Sequence, residues 1–205
     1  MKSFQIENYC RPLIERDNPT PKPKCNEVLI AVGCCGVCHS DVHIWEGFFD
    51  LGGGKKTDLS RAHRLPLTLG HEIAGTIAAV GENTNARVGD RVVVYPWIGC
   101  GACDLCKLGE DNLCLKPRNL GVHLNGGYST HVLVPDAKYL FPIGDLPMNL
   151  AATYACSGIT AFGALKKIQS RAEGRNLLII GAGGVGLAAL NIAQVMMDTV
   201  IIVAD

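Results

Sequence analysis

Leu177-Leu178-Ile179-Ile180-Gly181-Ala182-Gly183-Gly184-Val185-Gly186 is a short apolar run that ends in G-x-G-x-x-G. Four aliphatic residues bounded by glycine read as a buried strand, and the residues that follow, up to about Met197, read as a helix. Strand before and helix after is the setting in which this glycine pattern carries meaning. Gly181, Gly183, Gly184 and Gly186, with Val185 among them, let backbone approach a pyrophosphate whose charge sits at the helix N-terminus. A second strand, Val200-Ile201-Ile202-Val203, leads to Asp205, nineteen residues past Gly186. An acidic side chain there accepts hydrogen bonds from the adenosine ribose and repels a 2′-phosphate, which favours NAD over NADP. These features predict the start of a Rossmann doubly wound parallel sheet. Only two of its strands are written, where such a sheet has about six, so the residues are expected to belong to a longer polypeptide.

Before the strand, Asn149 to Cys156 and Ile159 to Ile168 are alanine-rich with helical period. Cys156 stands alone there in an apolar neighbourhood, and the boundary between two domains is expected between Leu146 and Ser157. Residues 1–150 form one domain and 151–205 the incomplete nucleotide-binding one. The first has a β-rich texture: Glu27 to Val32, Ile73 to Val80 and Arg91 to Tyr95 read as strands, and Gly126 to Pro135 as a turn and a strand.

Within that domain, Cys100, Cys103, Cys106 and Cys114 stand as C-x2-C-x2-C-x7-C, in a lobe of about residues 97–116. Four thiolates on short loops make a closed zinc cage that leaves no position for substrate. C-x2-C-x2-C also opens an iron–sulfur ligand run, but there the next cysteine follows three residues later and precedes proline. Here Leu115 follows the fourth cysteine, and structural zinc is the better reading.

The densest chemistry lies in Cys38-His39-Ser40-Asp41-Val42-His43, which offers a thiolate, a hydroxyl able to pass a proton and an imidazole titrating near neutral pH. His71 and Glu72 follow. Cys38, His71 and Cys156, with one position open, match the ligand set of a catalytic zinc site. Each residue taken singly also reads as a buried thiol or a satisfied core histidine. Between the two groups, Gly47 to Arg64 is a long stretch with Phe48, Phe49, four glycines and two lysines, read as a functional loop at the substrate entrance or a disordered insert.

Composition narrows the classes. The 205 residues are 48% hydrophobic and 19% charged, as in a soluble globular protein, and 19 basic residues balance 19 acidic ones. No electrostatic case exists for nucleic acid or a membrane surface. Leu177 to Met197 is uncharged and long enough to span a bilayer, but its glycines, Asn191 and Gln194 favour strand, turn and helix. Met1-Lys2-Ser3-Phe4-Gln5 lacks a secretion signal's basic-then-apolar pattern. Ten cysteines without such a signal point to the reducing cytoplasm, with metal or catalysis rather than disulfides.

Taken together, Gly36-Val37-Cys38-His39-Ser40-Asp41, Gly70-His71-Glu72, the four-cysteine lobe, Cys156 and Gly181 to Gly186 with Asp205 resemble the zinc-dependent medium-chain alcohol dehydrogenases. The resemblance implies a GroES-like catalytic domain followed by a Rossmann domain. It implies that Cys38, His71 and Cys156 hold a catalytic zinc, that Glu72 can transiently join them, and that Asp41 orients His71, a role physics also expects. It implies a proton relay from Ser40 to His43, cofactor contacts from His39 and Thr160, and a substrate pocket reached by Trp45 and Trp97, two residues that core packing explains equally well. The function implied is hydride transfer between a primary or secondary alcohol, or its aldehyde or ketone, and NAD. A polyol or formaldehyde dehydrogenase of the same family, or a zinc-binding fragment without activity, is the alternative. The short stretch between Cys114 and Tyr128 is more similar to the tetrameric microbial enzymes than to the dimeric animal ones.

Overall fold

Alternating aliphatic residues set the architecture. The computed structural model describes residues 1–172 and 174–205, which divide into two units, Met1–Ala152 and Thr153–Asp205. The first holds ten strands: β1 (Lys2–Ile6), β2 (Ile14–Asp17), β3 (Val28–Gly36), β4 (Phe48–Asp50), β5 (Lys56–Asp58), β6 (Leu67–Thr68), β7 (Glu72–Val80), β8 (Arg91–Val94), β9 (His131–Val134) and β10 (Leu140–Pro142). Its helices are α1 (His39–Glu46), α2 (Asp104–Lys107) and the greater part of α3 (Met148–Thr153).

An antiparallel sheet runs in the order β10-β8-β7-β3-β9. Val28 and Ile30, Ile73 and Ile77, Val92 and Val94, and Val132 and Val134 put one face of each strand into a common core closed by Ile98, Leu120 and Tyr139. The spacing of two or four residues is what a pleated strand requires for one buried face. Each such side chain taken out of water stabilises the fold by about 1.5–3 kcal/mol before chain entropy is counted. Ala74 points to the other face, where it meets Ile143, Ala151 and Ala152 with Met148 of α3. Gly75 is needed in β7 because a Cβ there would lie 2.2 Å from the Ala31 carbonyl oxygen.

The expected strands over Glu27–Val32, Ile73–Val80 and Arg91–Tyr95 correspond to β3, β7 and β8. β3 runs further than its alternation suggests, to Gly36, because register shifts after Leu29 and Val32 keep it paired to β7. That extension sets Gly36 opposite Glu72 and delivers the chain to Cys38.

The stretch from Gly47 to Arg64 is folded rather than structureless. β4 and β5 pair as a hairpin whose turn closes with Leu51 N–H on the Lys55 carbonyl at 2.8 Å. Gly52, Gly53 and Gly54 all take positive φ, which only glycine adopts without strain in succession. Lys56 Nζ sits 3.6 Å above the Phe48 ring, a cation–π contact. Leu59 N–H returns to the Gly47 carbonyl, and buried His63 meets the Tyr9 hydroxyl at 3.0 Å. Both ends of the insert are therefore anchored, and the disordered alternative fails.

The second unit holds a π-helical turn (Tyr154–Gly158), α4 (Ile159–Ala172), β11 (Leu177–Ile180), α5 (Gly184–Met196) and β12 (Ile201–Ala204). β11 and β12 pair in parallel, Leu177 opposite Ile201 through Ile180 opposite Ala204. The last glycine of the motif lets α5 start hard against the strand end: a Cβ on Gly186 would lie 1.8 Å from the Gly181 carbonyl oxygen. Among the described residues, no helix is long and apolar enough to cross a membrane.

Candidate metal and cofactor sites

Asp41 is the hub of the first site. Cys38 caps the N-terminus of α1 with extended backbone (φ −96°, ψ 153°), and Asp41 lies in the helix's first turn, where an acidic side chain suits the dipole. Its Oδ2 accepts from the Cys38 N–H at 2.9 Å and from the Tyr128 hydroxyl at 3.0 Å. Its Oδ1 accepts from the Gly70 N–H at 3.2 Å and lies 3.2 Å from Nδ1 of His71. The carboxylate is 2% exposed, so these contacts replace its water entirely.

With Nδ1 committed to Asp41, Nε2 is the ring nitrogen of His71 left to face the neighbouring groups. Nε2 is fully buried and makes no hydrogen bond. The ligand atoms of Cys38, His71 and Glu72 lie within 4.8 Å of one another. Burial alone would push the His71 pKa down, but the Asp41 carboxylate and the Cys38 sulfur outweigh it and raise the pKa to about 10. Burial, then the charges of Cys38 and Asp41, push Glu72 up to about 7, against the pull of His71. Without a metal, the raised pKa keeps a proton on His71, and a metal held by Cys38, His71 and Glu72 would take that proton's place. Sulfur, imidazole and carboxylate around an orphaned Nε2 fit zinc. Gly36 makes the room, since a Cβ there would lie 2.1 Å from Glu72 Oε2. The Trp97 ring centroid is 5.6 Å from that of His71.

The second donor set is local. Cys100, Cys103, Cys106 and Cys114 bring their sulfurs within 4.8 Å of one another. The separations include 3.5 Å for Cys103–Cys106, 3.9 Å for Cys103–Cys114 and 4.0 Å for Cys100–Cys106. Metal–sulfur bonds of 2.3 Å in a tetrahedron require edges of about 3.8 Å, which these values bracket. Backbone N–H groups of Cys100 and Lys116 point at the Cys114 sulfur, each at 3.3 Å. The backbone N–H groups of Ala102 and Cys103 hold the Cys100 thiol down at about 6, whereas burial pushes Cys106 up to about 12. Gly99 admits the cage, because its Cβ would meet the Cys106 sulfur at 2.4 Å. Buried Asp111 ties the lobe to the sheet through the Tyr139 hydroxyl at 2.7 Å and Lys138 at 3.2 Å.

Ser40 and His43 are three residues apart on α1, the spacing that puts two side chains on one helix face. His43 is half-buried; its ring lies 4.8 Å from Phe49 of β4 and 4.7 Å from exposed His39. Trp45 takes a packing position beside Ile6, Ile44, Leu67 and Leu69, and its Nε1 donates to the Arg11 carbonyl at 2.6 Å. Of the two tryptophans, it is Trp97 that packs against His71.

In the second unit, Cys156 sits half-buried in the π-helical turn and Thr160 lies exposed in the first turn of α4. A widened turn of this kind is frequent at functional sites. Here Ser157 Oγ donates to the Thr153 carbonyl at 2.9 Å, and Gly158 leaves room for the Tyr154 ring, 2.4 Å from where its Cβ would be. Gly181, at φ 96°, turns the chain off β11; Gly183 caps α5. The Asp205 carboxylate lies at the same strand ends, its Oδ1 accepting from the Ala182 N–H at 2.9 Å. Sequence reasoning missed Tyr128, Asp111 and Tyr139. The first had no local signal, being 87 residues from the carboxylate it serves.

The family described as the alcohol dehydrogenase GroES-like domain matches residues 24–145. The chain is 42% identical over 207 residues to an NAD-dependent alcohol dehydrogenase of Sulfurisphaera tokodaii, and 39% identical over 209 residues to one of Sulfolobus acidocaldarius. Each match covers 100% of this chain and 58% of the relative, so the chain spans well under two thirds of these proteins. The crystal structure of the alcohol dehydrogenase from Aeropyrum pernix superposes with a TM-score of 0.85 at 28% identity, covering 100% of this chain and 59% of that one.

Proposed function

Because the chain belongs to the alcohol dehydrogenase family with a GroES-like domain, we propose that it serves an oxidoreductase moving a hydride between an alcohol and NAD. The substrates are primary or secondary alcohols and the matching aldehydes or ketones. The observation that carries this reading is His71, whose Nδ1 is held by Asp41 while a buried, unbonded Nε2 stands beside Cys38 and Glu72.

Cys38 and His71 would hold the catalytic zinc, with Cys156 as the motif order assigns it and Glu72 as the alternate ligand. The four lobe cysteines would hold a second, structural zinc. Zinc so bound supplies Lewis-acid polarisation of the substrate oxygen, and NAD supplies the hydride acceptor. Asp41 keeps the proton on Nδ1 and so keeps Nε2 a donor of electrons. Ser40 accepts the proton from the substrate hydroxyl and passes it toward His43, which is half-buried against Phe49. Backbone N–H groups at the start of α5 would receive the pyrophosphate, Asp205 would receive the adenosine ribose, and His39 and Thr160 would make further cofactor contacts. The short segment between Cys114 and Tyr128 supports a homotetramer, and the thiol content supports a cytoplasmic location.

Metal analysis of protein purified without chelator is expected to give two zinc ions per chain, one for each donor set. A value near one, or iron with visible absorbance, contradicts the assignment. Cofactor choice is expected to follow Asp205: NAD is preferred, and Asp205→Ser or Asp205→Gly narrows the NAD-to-NADP ratio by roughly tenfold by removing repulsion of the 2′-phosphate. Equal use of both cofactors by the unaltered enzyme would rule this out. Shortening the β4–β5 hairpin is expected to change relative rates among alcohols of different size at constant zinc content, because Phe49 packs on His43. An unchanged substrate profile would make the hairpin a surface insert.

A further inference from the structure

The end of β12 holds two successive amides of the glycine-rich loop. Gly181 N–H donates to the Ala204 carbonyl at 2.7 Å, which carries the parallel ladder one residue past the Ile180–Ala204 pair. Ala182 N–H is held differently. Among the described residues no backbone carbonyl accepts it, and the Asp205 side chain takes it instead, through Oδ1 at 2.9 Å. The segment around Gly181 is confined from two other directions: φ is 96° there, and Gly186 crowds its carbonyl from the helix side. The carboxylate thus supplies the remaining constraint at the point where the loop leaves the strand.

We infer that Asp205 is a positioning residue for the phosphate-binding loop as well as an acceptor for the cofactor ribose. One carboxylate oxygen clamps the Ala182 amide and sets the loop's shape for a diphosphate, while Oδ2 stays available to the ribose hydroxyls. A carboxylate has about four acceptor sites, so the two duties do not compete. The clamp is a charge-assisted hydrogen bond, stronger than a neutral one. The inference rests on the dinucleotide reading of this unit. It adds that losing Asp205 weakens ligands with no ribose hydroxyl to offer.

The test compares the full chain with Asp205→Asn and Asp205→Ala, titrating each calorimetrically with ADP and with 2′,3′-dideoxy-ADP. Both variants are uncharged, so the difference between them isolates the acceptor oxygen from the charge. Asp205→Asn is expected to bind the dideoxy nucleotide about as well as the unaltered chain, its weaker neutral clamp offset by removal of a negative charge near the diphosphate, and Asp205→Ala about tenfold more weakly. ADP itself should be weakened in both. In ligand-free protein, exchange of the Ala182 amide should be about tenfold faster in Asp205→Ala than in Asp205→Asn. Equal dideoxy-ADP affinity in the two variants, or equal Ala182 exchange, would overturn the clamp while leaving the nucleotide site standing. Failure of the unaltered chain to bind either nucleotide would sink the dinucleotide reading and the clamp with it.

Discussion

Cys38→Ser is expected to abolish the proposed alcohol oxidation with little change in melting temperature, whereas Cys103→Ser is expected to lower the melting temperature by about 10 °C or more and to provoke aggregation. The contrast follows from what each cysteine holds. Cys38 sits at the first turn of α1, whose backbone is secured by Gly47 at its C-terminus and by Asp41 at its start. Exchange of sulfur for oxygen leaves those bonds in place and weakens only the affinity of the site for a soft metal. Cys103 belongs to the four-cysteine set that, together with the Asp111 contacts to Tyr139 and Lys138, holds a lobe with little apolar core of its own. Cys106 and Cys114 are its only buried cysteines, α2 is four residues long, and Leu108, Leu113 and Leu115 are all exposed. For such a lobe, metal binding is folding free energy, and loss of a few kcal/mol moves the melting point of a domain this size by that much. Thermal melts and zinc content of both variants check the pair. Equal loss of activity with unchanged melting in both would remove the structural label from the four-cysteine lobe.

Asp41→Ala should do damage of both kinds. The substitution leaves the Cys38 and Gly70 N–H groups, the Tyr128 hydroxyl and His71 Nδ1 without their shared acceptor inside the protein. A buried donor left unpaired costs about 1–3 kcal/mol, and water entering the gap offsets part of the sum, so a loss of about 3–5 kcal/mol is expected. Zinc affinity at the His71 site should fall by about 10- to 100-fold, since the ring is no longer held in one tautomer and orientation. Asp41→Asn keeps the shape but turns an NH2 toward donors on one side, so it should lie between the two. Chemical denaturation and a competitive zinc titration measure the two losses separately. A variant that melts normally and binds zinc normally would show that Asp41 neither supports the fold nor orients His71.

The chain by itself determined what depends on neighbours close in sequence. Val and Ile two or four residues apart mark β3, β7 and β8, because a pleated strand puts every second side chain on the same face. The four-cysteine lobe is equally readable, since fifteen residues on short loops cannot carry their thiolates far apart. Gly181 to Gly186 announce a strand-to-helix turn for the same reason: a Cβ at Gly186 is sterically impossible there. Tertiary structure decided the rest. That the stretch from Gly47 to Arg64 is a hairpin depends on Tyr9 meeting His63, 54 residues away, and on a lysine settling over a phenylalanine. That β3 runs to Gly36 depends on bulges taken up by its partner. Asp41 is the clearest case. Its four contacts come from Cys38 on its own helix turn and from Gly70, His71 and Tyr128, which lie 29, 30 and 87 residues along the chain. A buried carboxylate is stable only when its acceptor sites find donors, and those donors come from the start of α1 and from two loops far apart in sequence, which only the folded chain brings together.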